Sequence, residues 1–354
     1  MSKHLSLLGL LVLSSIAASA DPMTVHGQSV EVTVESYRPA PTGMTAHAVH
    51  LKESRVFEFG NGLKIELKGR VLLHDNGNIW MAQGSSNKAP VSLEIQGRAV
   101  SLNCSERPVV NGMTPAMRIV QFHPNGAYRL GCDVFGHAQV SSEIADLEIA
   151  NGSSIDMTAE GDLAYAAKIN TGRIHYRGQE LELNPSSEVS FHNRAQPAFF
   201  TLKPGAILKS VLPSGEEILV HGGAMNASIT LDVQGRLEKG VLAQDYVVPR
   251  LGYRLAKNSG VIYAVNTMDK ESPPYLSSVL LSEPVEIKIA GLAVKVNAIE
   301  LSLFEMVKSV TTAEPFDFRP PENPAEVLSL PAGAKITMAN SRRILKIEVP
   351  RARQ

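Results

Sequence analysis

Five stretches of the chain place apolar residues at alternate positions on either side of a turn: VLLHDNGNIWMA from Val71, VQFHPNGAYRLG from Val120, IDMTAEGDLAYA from Ile155, VSFHNRAQPAFF from Val189 and ITLDVQGRLEKG from Ile229. The turns carry Gly77, Gly126, Gly161 and Gly235, with Ala195 in the equivalent place of the fourth stretch. Counting from that residue, position −6 is Val71, Val120, Ile155, Val189 or Ile229. Position −4 is Leu73, Phe122, Met157, Phe191 or Leu231, and position +2 is Ile79, Tyr128, Leu163, Pro197 or Leu237. A two-residue period marks a strand with one buried face. Residues opposite one another in an antiparallel pair share a face, so −4 opposes +2 and −3 opposes +1. Three loop residues remain: DNG, PNG, AEG and VQG. Such loops end on a left-handed residue, the natural place for glycine, and Pro124 suits the first turn position. The pattern predicts five β-hairpins, with −5 and +3 as cross-strand neighbours on the outer face.

Short alternating elements (KIELKG, SLEIQG, DLEIANG, ELELNP, EILVHGG) precede or follow the hairpins. The fold class expected is all-β: repeated antiparallel β-hairpins forming an extended sheet or solenoid-like array, with a smaller β-rich C-terminal section. The expected segments are a signal peptide at 1–20, an N-terminal strand and linker at 21–46, the array at 47–250 and the C-terminal section at 251–354. The linker expectation rests on SYRPAPTGMTA, and LSLFEMVKSV suits either a short helix or a strand. The repeated hairpin and its spacers resemble the β-hairpin repeats of exported bacterial envelope proteins, loosely those of the MORN type. The tyrosine, glycine and tryptophan pattern of true MORN repeats is absent, so the resemblance implies architecture and carries no residue-level function.

The N-terminus changes the picture of compartment. A lysine, an apolar run from Leu5 to Ala17 and then ASA before Asp21 have the layout of a secretory signal peptide. The run is short for a bilayer span, and no later stretch reaches the length that a transmembrane helix needs. In an exported chain, two cysteines, Cys104 and Cys132, are expected to form a disulfide. It would tie the insertion after the first hairpin to the second. With 34 basic against 35 acidic side chains, the chain lacks the charge excess that nucleic acid or an anionic membrane would demand. A protein or envelope component is the expected partner.

Candidate chemistry is sparse. His74, His123 and His192 share position −3 and are read as turn-flanking solvent residues, since repeats several strands apart do not converge on one metal. His47 and His50 lack acidic or cysteine company, and HGG at His221–Gly223 has no nucleophile elbow to serve. No cofactor or metal site is expected. The strand carboxylates Glu66, Glu94, Glu148 and Glu182 are read as solvated faces. The outward pair Leu72 and Trp80 is the candidate binding feature, to be covered by the N-terminal strand or the insertion, or else to contact a partner or sugar. The expectation is an exported, non-catalytic binding or structural protein of the cell envelope. One alternative is an enzyme acting on polysaccharide or envelope material, favoured if outward carboxylates line a groove. The other is a subunit of an envelope assembly with exposed strand edges.

Overall fold

The computed structural model describes residues 21–40, 43–83, 90–105, 118–193, 196–222, 228–248, 253–265, 274–289, 292–303, 306–319, 326–340 and 343–350. The expected signal peptide and residues 106–117 of the insertion lie outside them. The described residues form strands and one short 3-10 turn at Gly60–Gly62, with no α-helix. None of their segments is a helix long and apolar enough to cross a membrane. The chain divides into two compact units, one of residues 1–93 with 102–132 and one of residues 94–101 with 133–354.

The first unit holds a seven-stranded antiparallel sheet in chain order: Asp21–Val25, Gln28–Ala40, Gly43–Glu58, Lys64–Leu73, Ile79–Gln83, Ile119–Phe122 and Tyr128–Leu130. Residues 36–40 and 43–46 of the expected linker are strands of this sheet, with Tyr37 opposite Ala46 and Arg38 opposite Thr45, and residues 41–42 lie outside the described set. The linker's prolines signal a loop, yet the sheet accommodates Pro39. Pro39 lies near the hairpin end, where a missing N–H is tolerated. In the second unit a twelve-stranded sheet follows the chain in the same stepwise way, from Ile155–Met157 to Arg343–Glu348.

The predicted −4 to +2 pairing is present in all five hairpins. Leu73 faces Ile79, Phe122 faces Tyr128, Met157 faces Leu163, Phe191 faces Pro197 and Leu231 faces Leu237. The −3 amide donates to the +1 carbonyl, as from His74 to Asn78 at 2.8 Å and from Asp232 to Arg236 at 2.9 Å. The loop glycines are left-handed, with φ of 81° at Gly77 and 84° at Gly126.

One step beyond the +2 residue the ladder departs from simple alternation. Position −5 faces +4 rather than +3: Leu72 with Met81, Gln121 with Leu130, Asp156 with Tyr165, Ser190 with Phe199 and Thr230 with Lys239. Position +3 is therefore a bulge residue in every copy. The reason lies in the buried positions of the outgoing strand. Ile79 and Ala82, Leu163 and Ala166, Pro197 and Phe200, Leu237 and Gly240 are all buried at a spacing of three, and one inserted residue lets both members face the core. Successive hairpins join by a second constant rule, +4 to −5 and +5 to −6, as in Met81 with Gln121 and Ala82 with Val120, or Phe199 with Thr230 and Phe200 with Ile229.

The register also continues beyond residue 250. Tyr263 faces Leu276, Leu301 faces Val307 and Met338 faces Ile344, each with the same bulge and the same joining rule. These strands thus continue the ladder of the array without its loop glycine, the connection from Tyr263 to Leu276 being longer than that of the other hairpins. LSLFEMVKSV runs from the end of the strand Leu292–Leu301 into the start of the strand Val307–Thr312; its residues 304–305 lie outside the described set.

KIELKG belongs to the strand Lys64–Leu73 of the first sheet, whereas the spacers of the second unit form hairpins of their own. Ala138–Ser141, Ala145–Ile149, Ile169–Tyr176 and Gln179–Glu182 make a four-stranded sheet, and Ile207–Val211 pairs with Glu217–His221. Their inward residues pack on those of the repeat hairpins: Val140, Ala145 and Leu147 share a small cavity with Leu163 and Phe191. Val220 lies 3.1 Å from where a Cβ on Gly240 would sit, so the second unit's core lies between the two sets of hairpins.

Candidate functional site

His74 is not a free solvent residue. Its Nε2 lies 3.1 Å from the carbonyl oxygen of Phe122, and His192 Nε2 lies 2.7 Å from that of Leu231. In both cases the −3 histidine of one hairpin meets the −4 carbonyl of the hairpin joined to it. The loops add to this link in the first unit, where the Nδ2 amides of Asn76 and Asn78 both donate to the Pro124 carbonyl, at 2.7 and 2.8 Å. Asp232 uses the same position differently, accepting bonds at Oδ1 from the Gln234 and Arg236 amides. Position −3 is thus a staple within or between repeats. Sequence parity marked it as polar but carried no signal of the partner.

Trp80 occupies the bulge of the first hairpin, so its expected pairing with Leu72 is corrected: the ladder partner of Leu72 is Met81. Trp80 and Met81 together oppose Leu72. Trp80 and Leu72 are both half-buried. The His47 ring stacks beside the indole at a centroid distance of 6.1 Å, and His74 flanks it at 6.3 Å. His47 belongs to the strand Gly43–Glu58, so the N-terminal part of the sheet partly covers the tryptophan. Cys104 and Cys132 are disulfide-bonded and fully buried, and the Cys132 amide donates to the Tyr128 hydroxyl at 2.8 Å.

A more developed surface lies on the outward face of the four-stranded spacer sheet, where a groove of about 510 Å³ is lined by Gln139, Asp146, Glu148, Thr171, Arg173 and Glu182 among others. Strand alternation turns Leu147, Ile149, Ile174 and Leu181 into the core and these polar side chains outward. Pairing then assembles a charged row: Asp146 opposes Arg173, which opposes Glu182. Lys203 Nζ meets Glu182 at 2.8 Å and Arg173 reaches Glu180 at 2.7 Å. His175 Nε2 lies 3.1 Å from Asp146, and Asn170 donates to Glu148 at 2.9 Å.

These contacts set the charge state of the groove. The hydrogen bond with His175 holds Asp146 below the usual carboxylate range, that from Asn170 does the same for Glu148, and the Lys203 bond lowers Glu182. All three lining carboxylates are ionised at neutral pH, with cations interleaved. Alternation alone identified Glu148 and Glu182 as outward; the strand order that gathers them with Asp146 was not readable locally. Among the described residues no group of three or more histidine, cysteine or acidic side chains is arranged to hold a metal ion.

No protein-family model matches the chain, and no curated protein matches it. Among solved structures, TcdB2-TccC3 without its hypervariable C-terminal region matches at 11% identity, covering 90% of this chain and 18% of that one, with a TM-score of 0.13. The chain thus spans less than a fifth of that structure's length, and at this level of likeness neither fold nor function carries over from it.

Proposed function

We propose that this chain is an exported, non-catalytic binding protein of the cell envelope, and that its ligand surface is the charged groove on the spacer sheet. The observation that carries this reading is the lining of that groove, where strand pairing sets Arg173 between Asp146 and Glu182, with Gln139, Glu148 and Thr171 beside them. A glycosidase needs one carboxyl group kept protonated as general acid beside an ionised one. Here every lining carboxylate is pushed the other way. Interleaved carboxylates, Arg173, Gln139 and Thr171 instead suit hydrogen bonding to a hydroxyl-rich polymer. The buried disulfide supports an oxidising compartment.

The enzyme reading keeps one point in its favour, that outward carboxylates do line a groove. A cosedimentation assay with insoluble envelope polysaccharide separates the two. The expected result is binding that Arg173→Ala and Glu148→Gln each weaken by about tenfold (~1.4 kcal/mol), with no new reducing ends released. No binding would sink the proposal. Release of reducing ends that Glu148→Gln abolishes would replace it with the enzyme.

A further inference from the structure

Within the twelve-stranded sheet each outgoing strand before the last passes its +4 and +5 residues to the next hairpin, up to Ser309 with Thr337 and Val310 with Ile336. The last outgoing strand, Arg343–Glu348, has one partner, Lys335–Asn340, and closes the order of the twelve-stranded sheet. Among the described residues no strand pairs with its far edge. Exposed edges are usually blunted by a charge or a proline, and this one carries Lys346 and is followed by Pro350. Yet it also leaves apolar side chains uncovered, with Leu345 at 61% and Val349 at 54% of full exposure.

We propose that this edge is a self-complementary interface, in which the strand pairs antiparallel with the same strand of a second copy about a two-fold axis at Ile347. Joining the two sheets with their buried faces on one side requires residues of like parity to face each other. Centring the pair on Lys346 sets two lysines opposite one another, and centring it on Glu348 sets two glutamates opposite. Centring it on Ile347 puts Lys346 opposite Glu348 twice. Lys346 and Glu348 already share one face of the strand as an ion pair, so both are presented on the side the partner's pair would meet. Pro350 falls opposite Ile344, at the end of the ladder, where its missing N–H interrupts no pairing. An isologous contact of this kind closes as a dimer and adds no further edge.

Sedimentation velocity on the full chain across a concentration series tests the idea. The expected result is a monomer–dimer equilibrium, weakened about tenfold by Lys346→Glu or Glu348→Lys alone through like-charge opposition. The double variant, with the charges exchanged, should regain the dimer. Register is tested separately in the unaltered charge background: Ile347→Cys should cross-link two copies on mild oxidation, whereas Lys346→Cys should not, because its partner is residue 348. A monomer at every concentration, a double variant as weak as the singles, or cross-linking through residue 346 as readily as 347 would overturn the proposal.

Discussion

Replacing Cys104 and Cys132 together by alanine should lower the stability of the first unit by about 3.5 kcal/mol. The two cysteines are 28 residues apart in sequence. Opening a loop of that length returns about 12 cal/mol/K of chain entropy to the unfolded state, which is about 3.5 kcal/mol at room temperature. Both side chains are fully buried, so the small void left by two missing sulfurs adds to the loss. Trp80 makes the measurement selective. It is the sole tryptophan of the chain and lies in the same unit as the disulfide. Its fluorescence therefore follows that unit alone during thermal or denaturant unfolding. A unit of this size should lose roughly 10–15 °C in melting temperature. A loss below about 1 kcal/mol would refute the reasoning, because the unfolded chain would then already be held together without the bond. So would a tryptophan transition that does not move at all while the rest of the chain does.

Two further outcomes can be stated. His74→Ala removes the bond to the Phe122 carbonyl and the flanking of Trp80; it should cost about 1–2 kcal/mol and red-shift the tryptophan emission, and an unchanged spectrum would count against the staple. Acid should weaken the two units in different windows. Burial holds His26 below its ordinary 6.5 despite its bond to the Glu58 carbonyl, so the unfolded chain binds the proton first and the first unit loses stability as pH falls below 6.5. The lowered Asp146, Glu148 and Glu182 act in the second unit, and their contribution, complete above the ordinary carboxylate range, disappears only as pH falls through their lowered values. Tryptophan emission against far-ultraviolet dichroism over a pH series checks the order, and His26→Gln should flatten the upper window.

The hairpins that the sequence revealed are those whose loops announce themselves. A glycine in a left-handed turn fixes the count of loop residues, and parity then fixes the −4 to +2 pairing. The hairpins at Tyr263, Leu301 and Met338 carry no such loop signal, because the register is held by inward apolar side chains and backbone ladders, neither of which needs that glycine. Their signal was present in Val261 with Tyr263, Ile299 with Leu301 and Ile336 with Met338, two residues apart like every −6 and −4 pair. The bulge was also written in the chain, as the spacing of three between Ile79 and Ala82 or Leu163 and Ala166, which strict alternation cannot bury. The groove was less accessible. Alternation says that Asp146, Glu148 and Glu182 point outward, but only the order of strands sets Arg173 between Asp146 and Glu182. That order depends on non-local packing of the spacer hairpins on the repeat hairpins.

The stepwise order of both sheets has a kinetic meaning. Each repeat strand bonds only to the strands before and after it in its sheet, so no strand waits for a partner from the far end of the chain. Loop closure at each addition spans a few tens of residues at most in the second unit, a cost that grows only slowly with length. Such a chain can zip outward from whichever hairpin closes first, and it can fray from its last hairpin inward while the middle stays closed. Assembly of the twelve strands is then a series of short local steps, each finishing the edge that the previous one left open.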